Sequence, residues 1–200
     1  MIPARCDGPL RAAIVFLALA LGACSTVPPA VFEPTLDAPR PFTVTGKVSW
    51  QAPADRGRAS VEWSDDAAGS RRLVLTGPFG AGAAVLEEDA RGARLTRGDE
   101  VLEAADAEGL LRGVLAVPLP LREARYWLLG LPAPGEHRIA ERDEAGRPRR
   151  LAQAGWEIEF VRWQSVDGRS LPARLDIAGA DVELRFVATR LALPGPEATP

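Results

Sequence analysis

The feature that most restricts the fold of this chain is an alternation of apolar and polar residues with a period of two. In residues 42–50, Val44, Val48 and Trp50 fall on one face, and hydroxyl or lysine side chains fall on the other. The same alternation returns in residues 59–64, 156–160, 174–177 and 182–186. It is typical of antiparallel strands that face solvent on one side. With glycines such as Gly57 and Gly98 as turn signals, it predicts a sandwich or a barrel of short strands.

Two segments in the middle of the chain depart from this alternation. Residues 106–115 carry leucines and valine at helical spacing, with Asp106 as the expected N-cap. Residues 121–130 repeat the pattern and end at Gly130, a common helix stop. The prolines of residues 117–120 predict a bent joint between the two helices. An alternating sheet with two apolar-faced helices predicts an α+β fold in which the helices cover one face.

The N-terminus has the features of a secretion signal. A basic start is followed by an apolar stretch that is too short to span a bilayer, and then by small residues. The ending Leu21-Gly22-Ala23-Cys24 resembles the lipobox of bacterial lipoproteins, in which the cysteine is lipidated and becomes the first residue of the mature protein. We therefore expect residues 1–23 to be removed and Cys24 to carry the lipid. The alternative is an ordinary secretory signal in which the cysteine occurs by chance.

The segments that flank the folded part are rich in proline. Residues 24–41 predict an extended tether, which in polyproline geometry reaches roughly 50 Å. In enterobacterial lipoproteins an aspartate after the lipidated cysteine favours retention in the inner membrane, so Ser25 favours the outer membrane, on its periplasmic face. Residues 191–200 predict a polar tail. Between these segments, residues 42–190 are expected to form one domain.

Composition offers little support for an enzyme or a nucleic-acid binder. The net charge of the chain is −3, whereas phosphate binding along a nucleic acid needs a surplus of clustered cations. His137 is the only histidine, and no cysteines or carboxylates accompany it at ligand spacing. No nucleophile motif or phosphate loop occurs. We therefore expect no metal, no cofactor, no catalytic residue and no nucleic-acid partner.

A glycine-rich turn carries a large apolar ring where water is expected. Phe79 stands between Pro78 and Gly80, after a strand-like stretch that ends at Thr76. The turn either folds back onto the core or forms an exposed apolar finger that contacts a membrane or a partner. The sequence pattern leaves both alternatives open.

Several segments, in order and behind the lipobox, are together similar to the LolB family of outer-membrane lipoprotein receptors. The resemblance runs over residues 42–190 and is carried by residues 42–50, 76–80, 105–111, 117–121, 126–132, 153–156 and 171–173. It implies a half-open antiparallel β-barrel around a hydrophobic cavity, capped by two or three short helices. It also implies a monomer that accepts lipoproteins from a LolA-like carrier and inserts their acyl chains into the inner leaflet of the outer membrane. By the same resemblance, Pro78, Phe79 and Gly80 form a membrane-insertion loop.

A receptor for acyl chains needs a broad apolar lining without specific polar contacts. The side chains predicted to line it are Trp50, Val61, Trp63, Leu75, Trp127, Ile158 and Phe160. Plain core packing is the alternative for each of them, because cavity and core faces look alike in sequence. For the whole chain, the alternatives are a lipid-anchored protein that binds a hydrophobic ligand, or a structural outer-membrane lipoprotein, in both cases without transfer activity.

Overall fold

The computed structural model describes residues 41–53, 55–66, 68–78, 82–114, 119–179 and 181–194. Within the described residues, six strands come first: β1 (Phe42–Gln51), β2 (Arg56–Asp65), β3 (Arg71–Thr76), β4 (Ala83–Asp89), β5 (Gly92–Arg97) and β6 (Glu100–Ala104). Two helices follow, α1 (Ala107–Val114) and α2 (Leu121–Trp127). Five strands complete the order: β7 (His137–Arg142), β8 (Pro148–Gln153), β9 (Trp156–Val166), β10 (Arg169–Gly179) and β11 (Val182–Ala192). The predicted signal peptide, Cys24 and nearly all of the predicted tether lie outside the described residues.

The eleven strands form one antiparallel sheet in the order β6-β5-β4-β3-β2-β1-β11-β10-β9-β8-β7. The sheet has two groups of strands, β1–β6 before the helices in the chain and β7–β11 after them. Strands β1 and β11 pair in the middle of the sheet and so join the two groups, with Val48 opposite Phe186. Strands β6 and β7 are the outermost strands of this order, so the sheet is not closed. The predicted α+β class with an antiparallel sheet and short helices is confirmed.

The predicted N-cap of the first helix and the predicted glycine stop of the second are both present. At α1, the Asp106 carboxylate accepts a hydrogen bond of 2.6 Å from the backbone N–H of Gly109, as a helix N-cap does. Helix α2 spans Leu121–Trp127, and Gly130 stops it as predicted: the backbone N–H groups of Gly130 and Leu131 donate hydrogen bonds of 3.0 Å to the carbonyls of Trp127 and Tyr126. Residues 128–130 form the turn that closes the helix, and Gly130 has a φ of +77° there. A Cβ at Gly130 would lie 2.8 Å from the Trp163 ring, so this close approach requires glycine.

The apolar core lies between the inner face of the sheet and the buried sides of the two helices. Alternation along the strands places the apolar side chains on this inner face, and the helices add Leu110, Leu111, Leu121 and Trp127. The largest fully buried side chains are Trp127, Phe42, Leu151, Ile158, Leu171, Leu175 and Val44. They come from both groups of strands and from α2, so the two groups share one core.

Strand register defines two ends of the sheet. At one end, Thr76 of β3 pairs with Ser60 of β2, which pairs with Lys47 of β1. We call this the tip end, because the β3–β4 hairpin turns there. At the other end, the first residue of β1, Phe42, pairs with the last residue of β2, Asp65. We call this the Asp65 end.

Candidate functional site

An apolar cavity of about 170 Å³ lies between the sheet and helix α2. Strands β1, β2, β3, β10 and β11 form its floor, and α2 with the two residues before it forms its cover. The lining residues are Val48, Trp50, Asp55, Val61, Trp63, Leu73, Leu75, Leu119, Pro120, Leu121, Ala124, Leu128, Leu175, Ile177, Leu184 and Phe186. Asp55 is the one ionisable residue among them, and its carboxylate accepts a hydrogen bond of 2.8 Å from Nε1 of Trp50. The remaining lining is apolar and offers a ligand no charged partner.

Helical spacing explains the cover. Leu121, Ala124 and Leu128 are three and four residues apart, so they share the face of α2 that meets the sheet. The small side chain of Ala124 stands between two leucines, and it leaves open space that a larger residue would occupy. Helix α2 therefore covers the cavity without filling it.

The position of Trp50 depends on a glycine in the neighbouring strand. Gly57 lies within β2 and pairs with Trp50, so its prediction as a turn signal is wrong. A Cβ at Gly57 would lie 2.3 Å from the Trp50 ring, and the missing side chain therefore gives the indole its place. The hydrogen bond from Nε1 of the same ring to Asp55 also holds the indole in place. Gly98, by contrast, lies in the β5–β6 turn with a φ of +58°, as predicted.

The structure places the predicted lining residues in two groups. Four of them line the cavity: Trp50, Val61, Trp63 and Leu75. The other three, Trp127, Ile158 and Phe160, are buried but lie outside this lining. Phe160 stacks on Trp163 with 5.4 Å between ring centroids, and the Trp127 indole is bound to a polar partner. These three side chains therefore pack in the core beside the cavity.

The sequence reasoning missed the lining that comes from α2, β10 and β11. A signal existed for the strands, because the alternation in residues 174–177 and 182–186 already placed Leu175, Ile177 and Leu184 on the inner face. For α2 the helical pattern was visible, but its partner on the sheet was not.

A buried charge network ties both helices to the sheet at the Asp65 end. Nη2 of Arg125 on α2 donates a hydrogen bond of 2.9 Å to Asp65, whose side chain is 1% exposed. Nε of Arg71 lies 3.5 Å from the same carboxylate, and Nη1 of Arg71 lies 2.9 Å from Glu88. The second oxygen of Glu88 accepts a hydrogen bond of 3.0 Å from the backbone N–H of Ala107, at the start of α1.

Burial raises the pKa of the Asp65 carboxyl above its ordinary value, and the positive charges of Arg125 and Arg71 oppose that rise. The desolvation of this carboxylate thus exceeds the attraction of its two arginines. The network fixes the position of the helices at a cost in stability when Asp65 is ionised.

A buried amide holds the other side of α2. Gln153 is buried, with 5% of the residue exposed. Its Oε1 accepts hydrogen bonds of 3.0 Å from Trp127 Nε1 and 2.8 Å from the backbone N–H of Ala133. Its Nε2 donates a bond of 2.7 Å to the carbonyl of Ala133. Helix α2 and the segment after it are therefore bound to strand β8 by three hydrogen bonds of one buried side chain.

The base of the β3–β4 hairpin lies at the tip end. The backbone N–H of Gly77 donates a hydrogen bond of 3.2 Å to the carbonyl of Gly82, which closes its base. Pro78 is exposed, and Phe79 and Gly80 lie outside the described residues.

Other site types find little support in the part of the chain that the structure describes. His137 is exposed, and its Nδ1 lies 3.2 Å from the carbonyl of Gly135. Among the described residues no group of histidine, cysteine or acidic side chains is arranged to hold a metal. No helix in the same residues is both long and apolar enough to cross a membrane.

Comparison with known proteins gives a consistent family. The family model described as "Outer membrane lipoprotein LolB" matches residues 40–190. An outer-membrane lipoprotein LolB from Alkalilimnicola ehrlichii is 37% identical over 182 residues, which cover 85% of this chain and 90% of that one. A LolB from Thiobacillus denitrificans is 32% identical over 182 residues, covering 88% and 94%. Among solved structures, a LolA superfamily protein from Nitrosomonas europaea aligns with a TM-score of 0.49 at 10% identity, over 84% of this chain and 90% of that one.

Proposed function

The chain belongs to the LolB family of outer-membrane lipoproteins, and we propose that it accepts lipoproteins from a LolA-like periplasmic carrier and inserts their acyl chains into the inner leaflet of the outer membrane. In this proposal Cys24 carries the lipid anchor, residues 24–41 are the tether, and the domain beyond them faces the periplasm. The sheet acts as a half-open barrel around the apolar cavity, with α1 and α2 as its cap.

The apolar cavity under α2 is the observation that carries the proposal. An acyl chain in water exposes apolar surface at a cost of about 25 cal/mol per Å². A site for such a chain needs apolar walls and gains nothing from ions. The lining meets both conditions, because its single carboxylate, Asp55, is bound to Trp50.

From the volume of the cavity we infer that its cover moves when a whole acyl chain is accepted. An apolar cavity of about 150 Å³ holds one benzene ring, or roughly 25 Å³ for each carbon. The cavity of about 170 Å³ therefore holds a short piece of an acyl chain and no more. Leu119 and Pro120, the two half-buried residues of the cover that precede α2, are better placed to move than α2 itself, which is bound to Asp65 and Gln153.

Delivery is assigned to the β3–β4 hairpin. Pro78 is exposed at its base, and the sequence puts Phe79 and Gly80 next to it at the turn. An apolar ring at the tip of a hairpin gains free energy when it leaves water for a bilayer. The loop would therefore contact the membrane while the cavity releases its chain.

The test separates acceptance from delivery. Purified carrier loaded with a lipoprotein is mixed with the chain from residue 24 that carries Phe79→Glu, and transfer to the receptor and then to liposomes is measured. We expect acceptance to stay normal and delivery to fall strongly, because a buried carboxylate at the tip opposes insertion. Val161→Glu is the matched control, since Val161 is exposed and apolar but lies on β9. Equal losses at both steps would contradict the assignment of the hairpin.

The small volume of the cavity favours a second candidate, a lipid-anchored protein that binds a compact hydrophobic ligand without transferring lipoproteins. In that case an apolar dye should bind the chain with the Cys24→Ser substitution, whereas a loaded carrier should transfer nothing to it. Uptake of lipoprotein from the carrier would exclude this candidate.

A further inference from the structure

A groove of about 450 Å³ runs along the solvent-facing side of the sheet, beside the base of the β3–β4 hairpin. Three cations line it, Lys47, Arg58 and Arg185, and no carboxylate is among its lining residues. This composition is unusual for a chain whose net charge is −3. The groove is thus a local positive site on an acidic protein.

The strand register explains why the three cations meet. Ser49 of β1 pairs with Arg58 of β2 on one side and with Arg185 of β11 on the other. Lys47 is two residues from Ser49 on the same strand, so it projects from the same face. Long basic side chains on three neighbouring strands therefore surround one serine hydroxyl.

The three cations differ in whether they form an ion pair. Arg185 lies 3.1 Å from Asp176 and forms an ion pair with it. Among the described residues, Lys47 and Arg58 take part in no ion pair, and both are exposed. Their charges are available to an anion that comes from solution or from a surface.

The groove lies at the level of the hairpin that the proposed function assigns to the membrane. Gly77 and Pro78, which open the hairpin, line it together with the cations. Lys47 is in the same row of the sheet as Ser60 and Thr76, where β3 ends. Arg58 lies on the tip side of that row. When the hairpin contacts a bilayer, these cations come to the level of the lipid headgroups.

We propose that this groove binds the phosphate groups of anionic phospholipids and thereby docks the tip end on the membrane surface. An arginine guanidinium can bind phosphate oxygens in a bidentate manner, a lysine adds a point charge, and the Ser49 hydroxyl can donate a further hydrogen bond. Attraction to an anionic leaflet would hold the tip end at the bilayer between insertion events. Docking would serve the delivery step, so this role rests on the proposed function. The binding of phospholipids itself needs neither carrier nor lipoprotein.

The test is vesicle partitioning of the chain from residue 24 with Cys24→Ser, so that no lipid anchor contributes. Vesicles of phosphatidylcholine alone are compared with an equimolar mixture of phosphatidylcholine and phosphatidylglycerol. On the anionic vesicles, Lys47→Gln/Arg58→Gln should lower the partition coefficient roughly 30-fold, or about fivefold per cation. On the neutral vesicles it should change little, and added salt should weaken the wild-type binding.

Arg112→Gln/Arg138→Gln is the matched control, because both arginines are exposed and the change in net charge is the same. Partitioning close to wild type in this control supports the groove. Equal losses in the two double variants would overturn the proposal in favour of net charge alone. Wild-type partitioning of Lys47→Gln/Arg58→Gln would overturn it as well.

The proposed function can fail separately. If lipoprotein transfer is absent while anionic vesicles still bind through Lys47 and Arg58, the receptor function is refuted and the groove is not. If transfer proceeds while Lys47→Gln/Arg58→Gln binds anionic vesicles like wild type, the groove proposal is refuted alone.

Discussion

Removing Arg125 should destabilise the domain in a manner that depends strongly on pH. Arg125→Met takes away the closer of the two guanidinium groups beside Asp65, and the Arg71 nitrogen that remains is 3.5 Å away. Loss of one partner from a buried ion pair costs about 3–5 kcal/mol. Because Arg71 still neutralises part of the carboxylate, we expect about 2–3 kcal/mol near neutral pH, which lowers the melting temperature by roughly 6–9 °C.

The pKa of Asp65 sets the direction of the pH dependence. Burial already raises this pKa, so the folded protein holds the proton of Asp65 more tightly than the unfolded chain does. The free energy of unfolding therefore falls as the pH rises from the ordinary aspartate pKa of about 4 through the raised pKa of the folded protein. The Arg125 charge opposes the rise, and Arg125→Met should therefore raise the pKa of Asp65 further. The cost of the substitution should be largest above that pKa and small where Asp65 is protonated in both proteins.

Urea unfolding followed by tryptophan fluorescence measures this effect at pH 7 and near pH 4, and the chain has five tryptophans as reporters. In an Asp65→Asn background, Arg125→Met should cost little at either pH, because no carboxylate is left unpaired. Arg122→Met is the control on the same helix, since the Arg122 side chain is 68% exposed and lies 3.9 Å from Glu108. A cost below about 0.5 kcal/mol at pH 7, or an equal cost at both pH values, would refute the reasoning.

Two further predictions concern the cover of the cavity. Ala124→Phe should fill much of the space under α2 and reduce uptake of an apolar dye and of lipoprotein, while the free energy of unfolding stays unchanged or rises by about 1 kcal/mol. The same substitution at the exposed Ala90 is the control and should leave uptake normal. Normal uptake in Ala124→Phe would show that acyl chains bind elsewhere. Gln153→Leu should cost roughly 2–4 kcal/mol in thermal or urea unfolding, because it leaves the Trp127 indole N–H and the Ala133 backbone groups buried without partners; a loss under about 1 kcal/mol would mean that water replaces the amide.

Local periodicity predicted much of the fold, because the buried residues of a strand or a helix recur along the sequence with the period of that element. The inward residues of β1, β2, β9, β10 and β11 follow the period of two that the sequence displays. The Asp106 cap of α1 was also visible locally. Gly57 was misread, because a glycine that makes room for a ring on the next strand has the same local appearance as a glycine in a turn.

The cavity could not be predicted to the same degree. A cavity forms where no side chain of another element fills the space in front of an inward-facing residue, and the sequence of one strand does not show which element lies opposite. Val61 lines open space and Ile158 is fully packed, although both alternate in the same way along their strands. The difference comes from elements far away in sequence, above all from Ala124 on α2. The Asp65–Arg125 contact joins residues 60 positions apart, and no local pattern reports such a pair.

The direction of β1 places a requirement on the segment that precedes it. Strand β1 begins at Phe42, at the Asp65 end, and runs through Gln51 to the tip end. At about 3.3 Å per residue this strand measures roughly 30 Å. A lipid at Cys24 and a hairpin at the tip end can engage one membrane together only if residues 24–41 span that length. If the proposed tether is extended in polyproline geometry it reaches roughly 50 Å, which would let the domain turn its tip end toward a carrier or toward the bilayer while Cys24 stays anchored. A tether of about five residues would reach only about 16 Å, and would hold the Asp65 end against the membrane and the hairpin away from it.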